Sequence, residues 1–315
     1  MALLGFASLY QLADQLPAPL PVVAAGGADR TVIEALSIAQ RRGWVEPILT
    51  GAIDEIRGLA KDLDIDLADF RLIDAADPAA AAVNEVRNGR ARMLMKGQIT
   101  TPAFMKAVLS RDTGLRTNRC ICQVVLMEIH RDSRRFLLSD TGITVQPTLE
   151  QKEDILRSMV DVALALRDGD TTESPRIGVM SATEKLTDVM PDTADAVELA
   201  RRNSVGEISG CLVQGPLSFD LAYASDAGEK KCIEGAVVGA ADAMLFPNLL
   251  AANLTVKAIM YTADCRFGGV LCGAACPVVF MSRADSTETR LNSLAFTLRM
   301  LTAREQVVRP DESDR

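Results

Sequence analysis

Hydrophobic and polar positions alternate along this 315-residue chain with two periods, and the switching between them predicts its elements. Leu3, Leu4, Phe6, Leu9, Leu12 and Leu16 recur at helical spacing, and Pro17, Pro19 and Pro21 stop that helix. Pro21–Ala25 reads as a strand and Gly26-Gly27 as a turn. Asp29 caps a helix carrying Val32, Ile33, Leu36 and Ala39 that ends near Gly43. A short strand follows at Val45–Leu49, and another helix starts near Ile53. Arg92–Met95 is the next strand, followed by a helix with Pro102 near its first turn and Phe104, Met105, Val108 and Leu109 on its apolar face. Two further strands, Ile121–Ile129 and Arg135–Leu138, precede a helix capped by Thr148.

After the polar stretch Arg167–Pro175 the rhythm restarts with strand Arg176–Met180 and helix Thr193–Asn203. Strand Gly210–Val213, helix Asp220–Ala227, strand Ala243–Phe246 and helix Ala252–Tyr261 follow. The apolar run Pro277–Met281 breaks into Ser282-Arg283-Ala284-Asp285-Ser286, and a helical pattern runs from Ser286 to about Thr302. Strand–helix–strand repetition means parallel sheet covered by helices. The pattern predicts a first α/β lobe from residues 1–148 and 272–315, with a second lobe, 149–271, inserted in it.

Composition narrows the function classes. Apolar residues make up 48% and charged residues 24%, while aromatics are only 4%, which suits helices on parallel sheet better than a β-sandwich. A net charge of −8 argues against general nucleic-acid binding. No run approaches a membrane span, and the first residues lack the basic start of a signal peptide, so a cytoplasmic protein is expected. Seven scattered cysteines and a single histidine, His130, give no zinc-ligand spacing and no Ser/His/Asp or Cys/His nucleophile system. Neither G-x-G-x-x-G nor a P-loop signature occurs.

What recurs instead is polar chemistry at strand ends. Lys96-Gly97 with Thr100 and Thr101 offers a cation, a close backbone approach and two hydroxyls. Ser139-Asp140-Thr141-Gly142, Ser181, Asn248 and Ser282-Arg283 are the other endings. Ligands of open α/β sheets bind outside the carboxyl ends of strands, where helix N-termini favour anions, so these groups predict an anion-holding cleft. Lys106 lies on the helix after Thr100, within reach of such an anion or else in solvent. Asn253 and Lys257 share one helix face, as a local pair or a polar wall. Asp285 and Glu288 read as a helix cap with an acidic first turn, or Glu288 as a general base.

Four stretches resemble the phosphate acetyl/butyryltransferase family over about Leu9 to Leu301. They are Met95–Leu109 with Gly114–Thr117; Ser139–Ile143 with Gln146–Glu150; Met180–Glu184 through Met190–Thr193; and Gln214–Asp220, Pro247-Asn248, Asn253 and Lys257 leading to Ser282–Ser286. Lys96-Gly97, Arg283–Ser286 and the short N-terminus look more like the butyryl branch than the acetyl branch.

The resemblance implies an isocitrate/isopropylmalate-dehydrogenase-like fold of two lobes with mostly parallel sheets, an interlobe cleft and a homodimer. It implies exchange of an acyl group between coenzyme A, a substrate rather than a bound cofactor, and phosphate, without metal. Ser282, Arg283 and Glu288 are then the catalytic candidates. Lys96, Thr100, Thr101 and Lys106 would bind phosphate or acyl phosphate, and Asp140, Ser181, Asn253 and Lys257 would line the coenzyme A cleft. The chain departs from the acetyl branch in having Lys106 for an arginine, Thr289 for the proposed catalytic aspartate and Ala252 for a glycine. Two other classes remain: a family member without catalysis or with an altered substrate, and a decarboxylating NAD(P)-dependent dehydrogenase of the same fold. The dehydrogenase would want an aspartate cluster at the strand ends, which the chain lacks.

Overall fold

The computed structural model describes residues 2–167, 169, 172–282 and 285–308, with the side chains of 304–308 left aside. Contacts divide the chain into two compact units, Phe6–Arg119 with Gly268–Arg315, and Met1–Gly5 with Cys120–Phe267.

The first unit begins with α1 (Phe6–Asp14), β1 (Leu20–Ala25), α2 (Arg30–Arg41) and β2 (Val45–Gly51). It continues with α3 (Ile53–Asp62), β3 (Arg71–Asp74), α4 (Pro78–Arg87), β4 (Met93–Lys96) and α5 (Thr101–Val108). Local chemistry explains the starts. The Asp29 carboxylate accepts the Val32 amide at 3.2 Å to open α2, as the sequence predicts, and Asp77 does the same for α4 ahead of Pro78. β1 is buried from Val22 to Ala25, which is why it reads as an unbroken apolar run rather than an alternation.

The second unit contains β5 (Cys122–Ile129), β6 (Arg134–Ser139), α6 (Leu149–Ala165), β7 (Arg176–Met180) and α7 (Asp192–Ser204). It then runs through β8 (Leu212–Leu217), α8 (Phe219–Tyr223), α9 (Ala227–Lys231), β9 (Ala243–Leu245) and α10 (Leu249–Thr262). Its strands are ordered β5-β6-β9-β7-β8, antiparallel only between β5 and β6. Thr148 and Gln151 form a reciprocal capping box at α6. The expected helix 220–227 is instead two short helices, α8 and α9.

β10 (Cys265–Cys272) carries the chain back, and β11 (Val278–Val279) and α11 (Thr287–Val308) complete the first unit. Strand order there is β3-β2-β1-β4-β11-β10, parallel except where β10 meets β11. α11 is buried on all sides around Leu294, Ala295 and Phe296, and two of its hydroxyls bond within the helix. Ser293 donates to the Thr289 carbonyl at 2.8 Å, and Thr297 to the Ser293 carbonyl at 2.7 Å.

The unit boundaries fall at 119/120 and 267/268 rather than at 148/149 and 271/272. The reason is strand pairing: β6 lies parallel to β9, so the β5–β6 hairpin belongs to the sheet of the inserted unit.

Candidate active site

Three strands of the first unit finish side by side. Ala25 of β1 is in register with Lys96 of β4, and Val279 of β11 with Met95. The Lys96-Gly97 and Phe280–Ser282 segments therefore leave one edge of one sheet, as the strand-end chemistry predicts. The loops after β1 and β4 touch through their backbones. Gly97 donates to the Ala25 carbonyl at 2.9 Å, and Gln98 to the Gly26 carbonyl at 2.8 Å. A Cβ at Gly97 would lie 2.1 Å from the Gly26 carbonyl oxygen, so only glycine fits. Lys96 is 3% exposed, with its ammonium 3.4 Å from the Gly97 carbonyl.

Thr100 caps α5, its hydroxyl accepting the Ala103 amide at 3.4 Å, and Thr101 is the exposed first residue of that helix. Lys106 is exposed in the last turn of α5, away from the N-terminal amides that favour an anion. At the entry to α11 the cap is Ser286, not the expected Asp285: the Ser286 hydroxyl accepts the Thr289 amide at 3.2 Å and pairs with the Thr289 hydroxyl at 3.0 Å. Asp285 instead closes the preceding turn, accepting the Ser282 amide at 2.6 Å while its own amide donates to the Ser282 carbonyl at 3.2 Å. Ser282 is exposed, as is Glu288 in the first turn of α11. Arg283 and Ala284 lie outside the described residues.

Beneath this edge lies a residue the sequence reading did not single out. Arg290 is 1% exposed and donates to the Thr31 hydroxyl at 2.6 Å, the Lys96 carbonyl at 3.0 Å and the Asp29 carboxylate at 3.4 Å. Burial pulls its pKa down, and the Asp29 and Asp285 carboxylates push it back up. One guanidinium thus ties α11 to the start of α2 and the end of β4, and it fixes the backbone that presents Lys96. The available signal was an arginine on a helix with no polar face, four residues after the cap.

In the other unit the parallel strands β6, β9 and β7 deliver Ser139-Asp140-Thr141-Gly142, Asn248 and Ser181 to one edge. The Asp140 carboxylate is buried and accepts four backbone amides, from Gln123 (3.0 Å), Gly142 (3.0 Å), Ile143 (3.2 Å) and Thr144 (2.7 Å). Such a carboxylate shapes its loop, and its acceptor capacity is largely taken. Asn253 reaches the same loop, donating to the Thr141 carbonyl at 2.9 Å, while Lys257, one turn on, is exposed. Ser181 donates to Asp192 at 2.6 Å, and Asn248 caps α10 through the Ala251 amide at 3.0 Å. Ala252 is fully buried.

One further cluster joins two of the motif stretches. The Ser218 hydroxyl lies 2.7 Å from Glu184 and 2.6 Å from Asp220, and the Lys231 ammonium bonds Glu184 at 2.7 Å. The Lys231 and Ser218 bonds hold the Glu184 carboxyl below the ordinary range. His130 is peripheral, half-exposed and paired with Asp264 at 2.9 Å.

Known proteins resemble this chain in sequence and fold. The family model described as phosphate acetyl/butaryl transferase matches residues 74–298, from the end of β3 into α11. A phosphate butyryltransferase of Clostridium acetobutylicum is 37% identical over 277 residues, covering 87% of this chain and 91% of the relative. A phosphate acetyltransferase of Thermotoga maritima is 36% identical over 291 residues, covering 92% and 97%. Among solved structures, a branched-chain phosphotransacylase from Enterococcus faecalis V583 superposes with a TM-score of 0.76 at 26% identity, covering 90% of this chain and 99% of that one. The chain belongs to the phosphate acetyl/butyryl transferase family of acyltransferases.

Proposed function

We propose that the protein exchanges a short-chain acyl group, butyryl or acetyl, between coenzyme A and inorganic phosphate. The observation that carries this reading is the register of β4 and β11, which puts Lys96-Gly97 and Ser282 at neighbouring strand ends above the Arg290 clamp. In this reading Lys96, Arg283 and the amides at the start of α5, with Thr100 and Thr101, offset and orient the charge of phosphate. A phosphate oxygen attacks the thioester carbonyl, and the tetrahedral oxyanion is held by Ser282 or by backbone N–H groups. Collapse breaks the carbon–sulfur bond, releasing acyl phosphate and a thiolate that takes up a proton. In reverse, Glu288 takes the proton from the thiol, and the thiolate displaces phosphate. Lys106, in the last turn of α5, supplies at most a point charge where the acetyl branch has an arginine. Asn253, Lys257 and Ser181 contact coenzyme A, and Asp140 acts by shaping the loop that Asn253 grips. The enzyme works as a cytoplasmic homodimer.

The test is release of free thiol from acetyl-, propionyl- and butyryl-CoA with and without phosphate. Phosphate-dependent release with at least one acyl chain is expected, and Lys96→Met should lower it about a hundredfold, the size of one lost transition-state charge contact. No phosphate-dependent release with any of the three would sink the reading.

A further inference from the structure

The parallel strands of the Cys120–Phe267 unit have a second edge, their amino ends, opposite Ser139, Ser181 and Asn248. Arg134 opens β6, Arg176 opens β7, and Asp242 immediately precedes β9. These residues and Arg135 line a cavity of about 220 Å³ floored by Ala240 and Ala241. Three arginines therefore line one small space that has a single lining carboxylate.

Glu128, Glu173 and Asp242 are the carboxylates near them, and the three guanidiniums are engaged to different degrees. Arg134 gives one bond, to the Gly239 carbonyl at 2.9 Å, and lies over the Tyr223 ring at 5.1 Å. Arg135 bonds Glu128 at 3.0 Å and the Leu3 carbonyl at 3.0 Å, the one arginine of the three with a carboxylate at hydrogen-bond distance. Among the described residues the Arg176 guanidinium makes no hydrogen bond, and its carboxylate neighbour, Glu173, is 3.9 Å away. The Asp242 carboxylate is buried and accepts the Arg176 backbone amide at 2.8 Å. Each guanidinium has planar N–H pairs suited to two oxygens of one anion, and that of Arg176 has none of them taken by a hydrogen bond among the described residues.

We propose that this cavity binds a small tetrahedral oxyanion of the inorganic-phosphate type, at a site separate from the strand ends assigned to acyl transfer. Its volume suits a small anion and is below the roughly 300 Å³ at which pockets for larger organic ligands begin. The site stands on Arg134, Arg135 and Arg176 alone and holds whether or not the acyl-transfer reading does.

Calorimetric titration of inorganic phosphate into the full-length protein at constant ionic strength tests it. Arg176→Met should weaken one class of phosphate sites about tenfold or more, the worth of a charge-assisted contact. The phosphate KM of acyl transfer should stay unchanged. Identical phosphate binding in wild type and Arg176→Met overturns the proposal, as does a rise in that KM that accounts for all the lost binding. A crystal structure of the unaltered protein in saturating phosphate gives an answer that does not depend on the variant folding. An oxyanion within hydrogen-bond distance of Arg134 and Arg176 is the expected result, and a cavity without one contradicts it.

Discussion

Arg290, on the buried α11, donates a hydrogen bond of 3.0 Å to the backbone carbonyl of Lys96, at the end of β4. The bond joins residues far apart in sequence, and it makes the position of the buried Lys96 cation depend on a core helix. The same guanidinium holds Thr31 and Asp29, so removing it strands a buried carboxylate and a buried carbonyl together. Arg290→Met should cost about 3 kcal/mol of unfolding free energy, as for other broken buried pairs. Urea denaturation of the two proteins measures this, and Arg290→Lys should recover only part because its ammonium lacks the planar fork.

Gly97 has no room for a side chain. Gly97→Ala should destabilise by about 2 kcal/mol, because a methyl group must push the Gly26 backbone aside. The same shift displaces Lys96, so kcat/KM should fall by more than the stability loss explains at a temperature where the variant remains folded. Denaturation midpoint and kinetics on one preparation separate the two effects.

Asp140 accepts four amides, which an amide side chain cannot match with its single oxygen. Asp140→Asn should cost about 2 kcal/mol by leaving buried N–H groups unpaired. Because Asn253 grips the carbonyl of Thr141 in that loop, the variant should also raise the coenzyme A KM more than it lowers kcat.

Glu85 in α4 is held by Arg90 and Arg71. The Arg90 hydrogen bond, with Arg71 helping and burial opposing, keeps its carboxyl below the ordinary 4.5. A depressed carboxyl contributes stability that is fully present above its unfolded value and is lost as pH falls through the folded value. Stability of the wild type should therefore decline below about pH 4.5, and Glu85→Gln should lower the plateau at neutral pH and flatten that acid limb. Thermal unfolding at several pH values distinguishes the two curves.

The parts of the fold legible in the sequence are those fixed by local chemistry. Asp29 and Thr148 announce their helices, and the buried runs at 21–25 and 176–180 announce strands. β3 and α4 escaped notice: β3 has only four residues, none fully buried, and α4 is rich in alanine with little contrast between faces. β10 was missed because its outer half, Cys265–Phe267, is interrupted by the exposed Arg266 while its inner half is apolar and glycine-containing. The strand ends carrying Lys96 and Ser282 were legible as separate motifs, but only pairing across the sheet makes them neighbours. Arg290 was illegible for the opposite reason, since its role lies wholly in contacts with residues far away in sequence.

Acyl exchange onto phosphate can be followed by phosphorus NMR of the protein mixed with butyryl-CoA, acetyl-CoA and inorganic phosphate. An acyl-phosphate resonance should grow as free thiol appears, one for one, and vanish when excess coenzyme A is added back. Thiol release without that resonance, or no change in either signal, would contradict it.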